Sequence, residues 1–184
     1  MHTGSYDFIF FILNIKDFLA YKTVDIDLQY YKGVWYQTYG DNFELTTFER
    51  DAYCVYANYT PITDNEFSIL NAERKGSVDG EYEYIEGYGK TTDTSGELLI
   101  YLSGQTPAPY WVIKIGPIEN DEYQYSVVSD PYKVGLYVLV RNVEEYYELY
   151  NDEVMLFFND TGFNKLYNSP CLLYTSDAAD DCVC

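Results

Sequence analysis

Few side chains in this sequence could do covalent or acid–base chemistry. His2 is the sole histidine, so neither a Ser/His/Asp nor a Cys/His arrangement has a credible base. Cys54, Cys171, Cys182 and Cys184 show no metal-ligand spacing. No glycine-rich loop follows a phosphate-binding pattern. Glu81, Glu83 and Glu86 stand close together in Glu81-Tyr82-Glu83-Tyr84-Ile85-Glu86 and are the acids best placed for proton transfer. On a strand, such a run reads first as a solvated face. No catalytic residue, cofactor or metal is expected, and the chain reads as a non-enzyme. Binding chemistry is better represented. Phe67, Ile69, Asn71 and Glu73 share one strand face, which ends in two polar groups that suit a ligand head group.

The elements that would position these groups are strands. The chain has 184 residues, the size of one domain, and 23 of them are Tyr. Tyr favours strands and offers an apolar body with a polar tip. Thirty Asp and Glu stand against 11 Lys and Arg, a net charge of -19. That charge opposes nucleic acid and anionic membrane surfaces as partners. Turn signals such as Gly40-Asp41-Asn42, Asp79-Gly80, Ser95-Gly96 and Asp130-Pro131 separate short runs rich in Val, Ile, Tyr and Thr. Strands are expected at Gly33–Tyr39, Ala52–Tyr59, Phe67–Glu73, Glu81–Gly89, Leu98–Leu102, Tyr110–Ile115, Tyr123–Ser129 and Leu136–Arg141. Eight strands with short links predict an all-β antiparallel meander closed into a barrel or sandwich. Val143 to Phe158 then has apolar residues at helical spacing, with Asn142 as N-cap and Thr161-Gly162 as terminator. One amphipathic helix should pack outside the strands.

Alternation assigns faces. In Tyr110–Ile115, Lys114 should face water, which sends Trp111, Ile113 and Ile115 inward. In Ala52–Tyr59, a glycan on the sequon Asn58-Tyr59-Thr60 must face out, which sends Tyr53, Val55, Ala57 and Tyr59 inward. Asn159-Asp160-Thr161 is a second sequon.

Several of these runs carry a family resemblance. Gly33-Val34-Trp35 resembles the Gly-x-Trp signature of the first lipocalin strand. Tyr125-Ser126-Val127-Val128-Ser129-Asp130-Pro131, leading to Leu136–Asn142, resembles the closing strands of the apolipoprotein D and bacterial lipocalin branch. Asp51–Thr60 with Phe67–Glu73, and Ala108–Ile113, resemble further strands of that branch. The resemblance covers about Asp27 to Pro170. It implies an eight-stranded up-and-down barrel with one C-terminal helix outside and room for one small ligand. It implies that Arg141 lies across Trp35 at the closed end. It further implies pocket residues at Tyr59, Asn71, Glu73 and Trp111, to which Tyr53, Ile113 and Tyr125 are added. Asn58 matches a family glycosylation position. In related secreted members the cysteine matching Cys54 pairs with one near the C-terminus, a role for which Cys171 sits early. A few lipocalins are enzymes, one with a cysteine nucleophile, but Cys54 has outward parity.

Three regions are expected: a leader over 1–26, a lipocalin domain over 27–170 and a tail over 171–184. Phe8 to Ile15 is too short to span a bilayer. It fits a signal-peptide core ending near Ala20, or a stray leader, since no Lys or Arg precedes it and Asn14 interrupts it. Cys171 to Asp181 looks like the translation of a sequencing-library adapter. The expected function is carriage of a small hydrophobic ligand by a secreted glycoprotein. The competing reading is a filled barrel acting through its acidic surface or open-end loops. Weak membrane association and oligomeric state stay open.

Overall fold

The computed structural model describes residues 22–41, 51–166 and 168–173. The apolar run at Phe8–Ile15, His2, Cys182 and Cys184 fall outside them. A short helix α1 (Leu28–Tyr31) leads into β1 (Gly33–Asp41), β2 (Ala52–Thr63), β3 (Glu66–Lys75), β4 (Glu81–Thr91), β5 (Glu97–Leu102) and β6 (Ala108–Ile115). A two-stranded hairpin, β7 (Ile118–Glu119) and β8 (Glu122–Tyr123), precedes β9 (Tyr125–Ser129) and β10 (Leu136–Val140). The eight long strands pair antiparallel in order, and β10 returns to β1, with Tyr36 opposite Val140. The sheet is therefore a closed barrel with its edges paired. A last strand, β11 (Pro170–Leu172), pairs with the end of β1, placing Cys171 opposite Gly40.

All eight expected strands are present, and the run from Tyr123 to Ser129 is divided between β8 and β9. The expected helix is broken into α2 (Val143–Leu149) and α3 (Asn151–Thr161), which meet at Tyr150 with φ −122 and ψ −19. Asn142 Oδ1 accepts the Glu145 amide at 3.0 Å, satisfying one of the unpaired first-turn donors. Gly162 ends α3 at φ +87, a left-handed conformation that glycine adopts without strain.

The chain builds two apolar layers. Inside the barrel lie Trp35, Tyr59, Phe67, Ile69, Ile100, Val112, Val128 and Leu139, with Tyr31 sealing the closed end. Outside, between the barrel wall and α2–α3, lie Ile113, Tyr125, Val127, Val138, Tyr146, Val154 and Phe158. Strands β9 and β10 separate the two layers and are buried on both faces. Val24 and Ile26, placed in the leader by the sequence reading, pack against the interior layer, and the Val24 amide donates to Val112 O at 2.9 Å. Cys54 is disulfide-bonded, while Cys171 is free and exposed.

Candidate ligand-binding site

The closed end of the barrel is organised by one cation. The Arg141 guanidinium lies 3.6 Å from the centre of the Trp35 ring. It donates to the carbonyls of Val34 at 2.5 Å, Lys32 at 2.7 Å, Tyr123 at 3.2 Å and Tyr30 at 3.3 Å. Five donors in a fixed fork suit several carbonyls at once, and stacking on indole adds a cation–π contact. Burial lowers its pKa below the ordinary arginine value, and Glu122, 4.0 Å away, opposes that shift. Gly33 is required beside it. Its φ is +94, and a Cβ there would lie 3.2 Å from Glu122 Oε1 and 3.3 Å from Arg141 Nη1.

Above this floor the barrel holds a cavity of about 750 Å³. Its walls include Val55, Ala57, Ile85, Ile100, Leu102 and Leu139. Strand register places Asn71 opposite Ala57 and Ile85, and Glu73 opposite Glu83, on the row that faces the cavity. Glu73 is held by Lys75 Nζ at 2.5 Å. Asn71 Oδ1 is buried with no hydrogen-bond partner. Tyr59 and Tyr110 line the lower part, and their hydroxyls are 3.2 Å apart. Burial pushes the Tyr59 pKa up to about 12, against the opposing hydrogen bond from Tyr110 and the charge of Arg141. Among the described residues no group of three or more His, Cys, Asp or Glu could hold a metal ion.

Of the residues expected in a pocket, Tyr59, Asn71 and Glu73 lie together on the cavity wall. Four expected inward side chains do not. Trp111, Ile113 and Tyr125 belong to the outer layer under α2–α3. The inference from Lys114 fails because that outer face is not water. Lys114 Nζ lies 5.6 Å from the Phe157 ring and 5.8 Å from the Tyr125 ring, and pairs with Glu153 at 3.8 Å. Tyr125 donates its hydroxyl to the same Glu153. A bulge at Ile113 then returns Ile115 to the inner side. Tyr53 is displaced by a second bulge at Cys54, whose φ is +50, and stands opposite Arg74 rather than on the Asn71 row. The sequence reading missed Gln37, Glu83, Tyr110 and Tyr137, all on the cavity wall. A usable signal existed in Leu136-Tyr137-Val138-Leu139-Val140. A strand with no polar face implies cover on both sides, and therefore a dry outer wall near it.

Asn58 lies on the outer row, opposite Val34 and Leu70, with Thr60 exposed. Asn159 is exposed in the last turn of α3.

Comparison with known proteins agrees with this architecture. No curated protein sequence matches the chain. Solved structures do, at the level of fold. Lobster apocrustacyanin A1 is 16% identical with a TM-score of 0.55, the match covering 80% of this chain and 78% of that one. Japanin from Rhipicephalus appendiculatus, bound to cholesterol, is 15% identical with a TM-score of 0.54, covering 81% and 96%. A biogenic amine-binding protein is 15% identical with a TM-score of 0.55, covering 89% of each chain. The family described as "Lipocalin-like domain" matches residues 26–165. With a closed eight-stranded barrel, an external helix and the arginine-over-tryptophan floor, that match makes the chain a member of the lipocalin family.

Proposed function

We propose that this lipocalin carries one small hydrophobic ligand in its barrel and is not an enzyme. The observation that carries the reading is the cavity of about 750 Å³. Protein interiors pack with few voids larger than a water molecule, and ligand pockets run from about 300 to 1,000 Å³. The buried, unpartnered Asn71 Oδ1 on its wall is an acceptor that a ligand donor would satisfy. Burying about 300 Å² of apolar ligand surface gains several kcal/mol at roughly 25 cal/mol per Å², before ordering costs.

The polar groups narrow the ligand class. Glu73 and Glu83 stand side by side on the neighbouring strands β3 and β4 of the cavity wall, and Lys75 pairs with Glu73. An anionic head group there meets a like charge. Neutral lipids, sterol-like molecules, retinoids or pigments fit better, and so does an amine. The cholesterol bound to japanin and the amine binding in a second neighbour's name support that range. Membership of the apolipoprotein D branch, secretion, and glycosylation at Asn58 and Asn159 belong to the same reading.

Displacement of a fluorescent apolar probe by a panel of sterols, retinoids, amines and fatty acids tests it. Saturable competition at micromolar concentration, weakened by Tyr59→Ala, is expected. A folded protein that binds no member of the panel would instead favour action through the acidic surface.

A further inference from the structure

Among the described residues, four hydroxyls form a chain of their own at the bottom of the cavity. Ser126 Oγ and Tyr31 OH are 2.7 Å apart, Tyr31 OH and Tyr110 OH 2.8 Å, and Tyr110 OH and Tyr59 OH 3.2 Å. Each hydroxyl has one proton to donate. Four protons therefore serve three hydrogen bonds, and one is left over. Its position follows from burial. Ser126 is fully buried with Tyr31 as its side-chain partner, so a Ser126 proton directed elsewhere would be an unmatched donor in a dry interior. Tyr31 is equally buried and does not line the cavity, bordering instead a separate pocket of only about 10 Å³. The lowest-cost direction runs from Ser126 to Tyr31 to Tyr110, leaving the surplus proton on Tyr110 or Tyr59. Both of those line the cavity.

We infer that Tyr59 and Tyr110 form a hydrogen-bond donor site at the deep end of the cavity, matched to a ligand whose leading group is a carbonyl. This rests on the carrier reading and adds an orientation to it: the carbonyl enters first, and any donor group sits higher, by Asn71. A carbonyl accepts without bringing a proton, so it satisfies the surplus donor and leaves nothing unmatched. A leading hydroxyl would add a fifth proton to the same chain. A leading carboxylate would lose its hydration for a single donor.

The test uses 2-tridecanone, labelled with 13C at its carbonyl, and its isostere 2-methyl-1-tridecene, in which a methylene replaces the oxygen. Each competes with a fluorescent probe on the wild-type chain and on the Tyr59→Phe/Tyr110→Phe double variant. The ketone should bind the wild type several-fold to about tenfold more tightly than the alkene, and the ratio should fall to about one in the double variant. Isotope-edited infrared spectra of the wild-type complex should show the carbonyl band below its position in hexane. That readout needs no variant to fold. If ketone and alkene bind the wild type equally and the band keeps its hexane position, the donor site is wrong while carriage stands. If neither ligand displaces the probe, and the probe itself does not bind, carriage fails and this inference falls with it.

Discussion

Single residues at the closed end set the stability of the barrel. Arg141 meets four backbone carbonyls and the Trp35 ring. Arg141→Met keeps some of the packing but strands those carbonyls, and should cost about 3 kcal/mol or more in a denaturant titration. Gly33→Ala should cost about 1–3 kcal/mol, because the left-handed backbone is strained for alanine and its methyl crowds Glu122 and Arg141. Tyr59 gives a pH dependence. Its phenol ionises near the ordinary 10.0 in the unfolded chain and at about 12 when folded, because burial disfavours the anion. The folded state then holds the proton more firmly, so its contribution is fully present below 10 and is lost as pH rises towards 12. The loss is about 1.4 kcal/mol for each unit between the two values. Denaturant midpoints measured across that window should fall more steeply in the wild type than in Tyr59→Phe.

At the scale of elements, what the sequence reveals depends on what covers each strand face. Strand β3 alternates between the cavity and the exterior, and parity placed Asn71 and Glu73 on the cavity row. Strand β6 has an apolar environment on both sides, so its one charge, Lys114, carried no information about which side was inside. The bulges at Cys54 and Ile113 add a residue each and reverse parity beyond them, and no local sequence signal marks them. The helix break at Tyr150 was equally hidden, since both halves keep one apolar stripe against β9 and β10. This gives a discriminating pair of variants. Trp111→Ala should lower stability by about 2 kcal/mol or more, through lost packing under the helix, and leave ligand affinity unchanged. Tyr110→Ala, one residue earlier, should weaken binding. Thermal melts and probe titrations on the two proteins would separate outer from inner face.

For the whole molecule, the fold was legible because its signals are cumulative. Eight strand–turn units, a Gly-x-Trp run and a terminal helix with an Asn142 cap all point to one closed barrel. The cavity was less legible, because its volume depends on which of many tyrosines turn inward, and that is fixed by bulges and by the helix cover. The net charge of -19 adds self-repulsion that salt screens. Raising sodium chloride should therefore raise the melting temperature, and charge-neutral osmolytes of equal osmolarity should reproduce little of the gain.

On the carrier proposal, the cavity is a ligand site rather than a packing void. Ala108 lies at its rim, exposed and pointing along the same row as Tyr110, so Ala108→Trp should narrow the space without entering the core. Native mass spectrometry of the wild type and Ala108→Trp, each titrated with cholesterol and with a long-chain ketone, separates the two. A saturable one-to-one adduct on the wild type, reduced at least tenfold in Ala108→Trp of unchanged circular dichroism, is the predicted result. Equal adducts on both proteins, or none on the wild type, would mean that the cavity is not the ligand site.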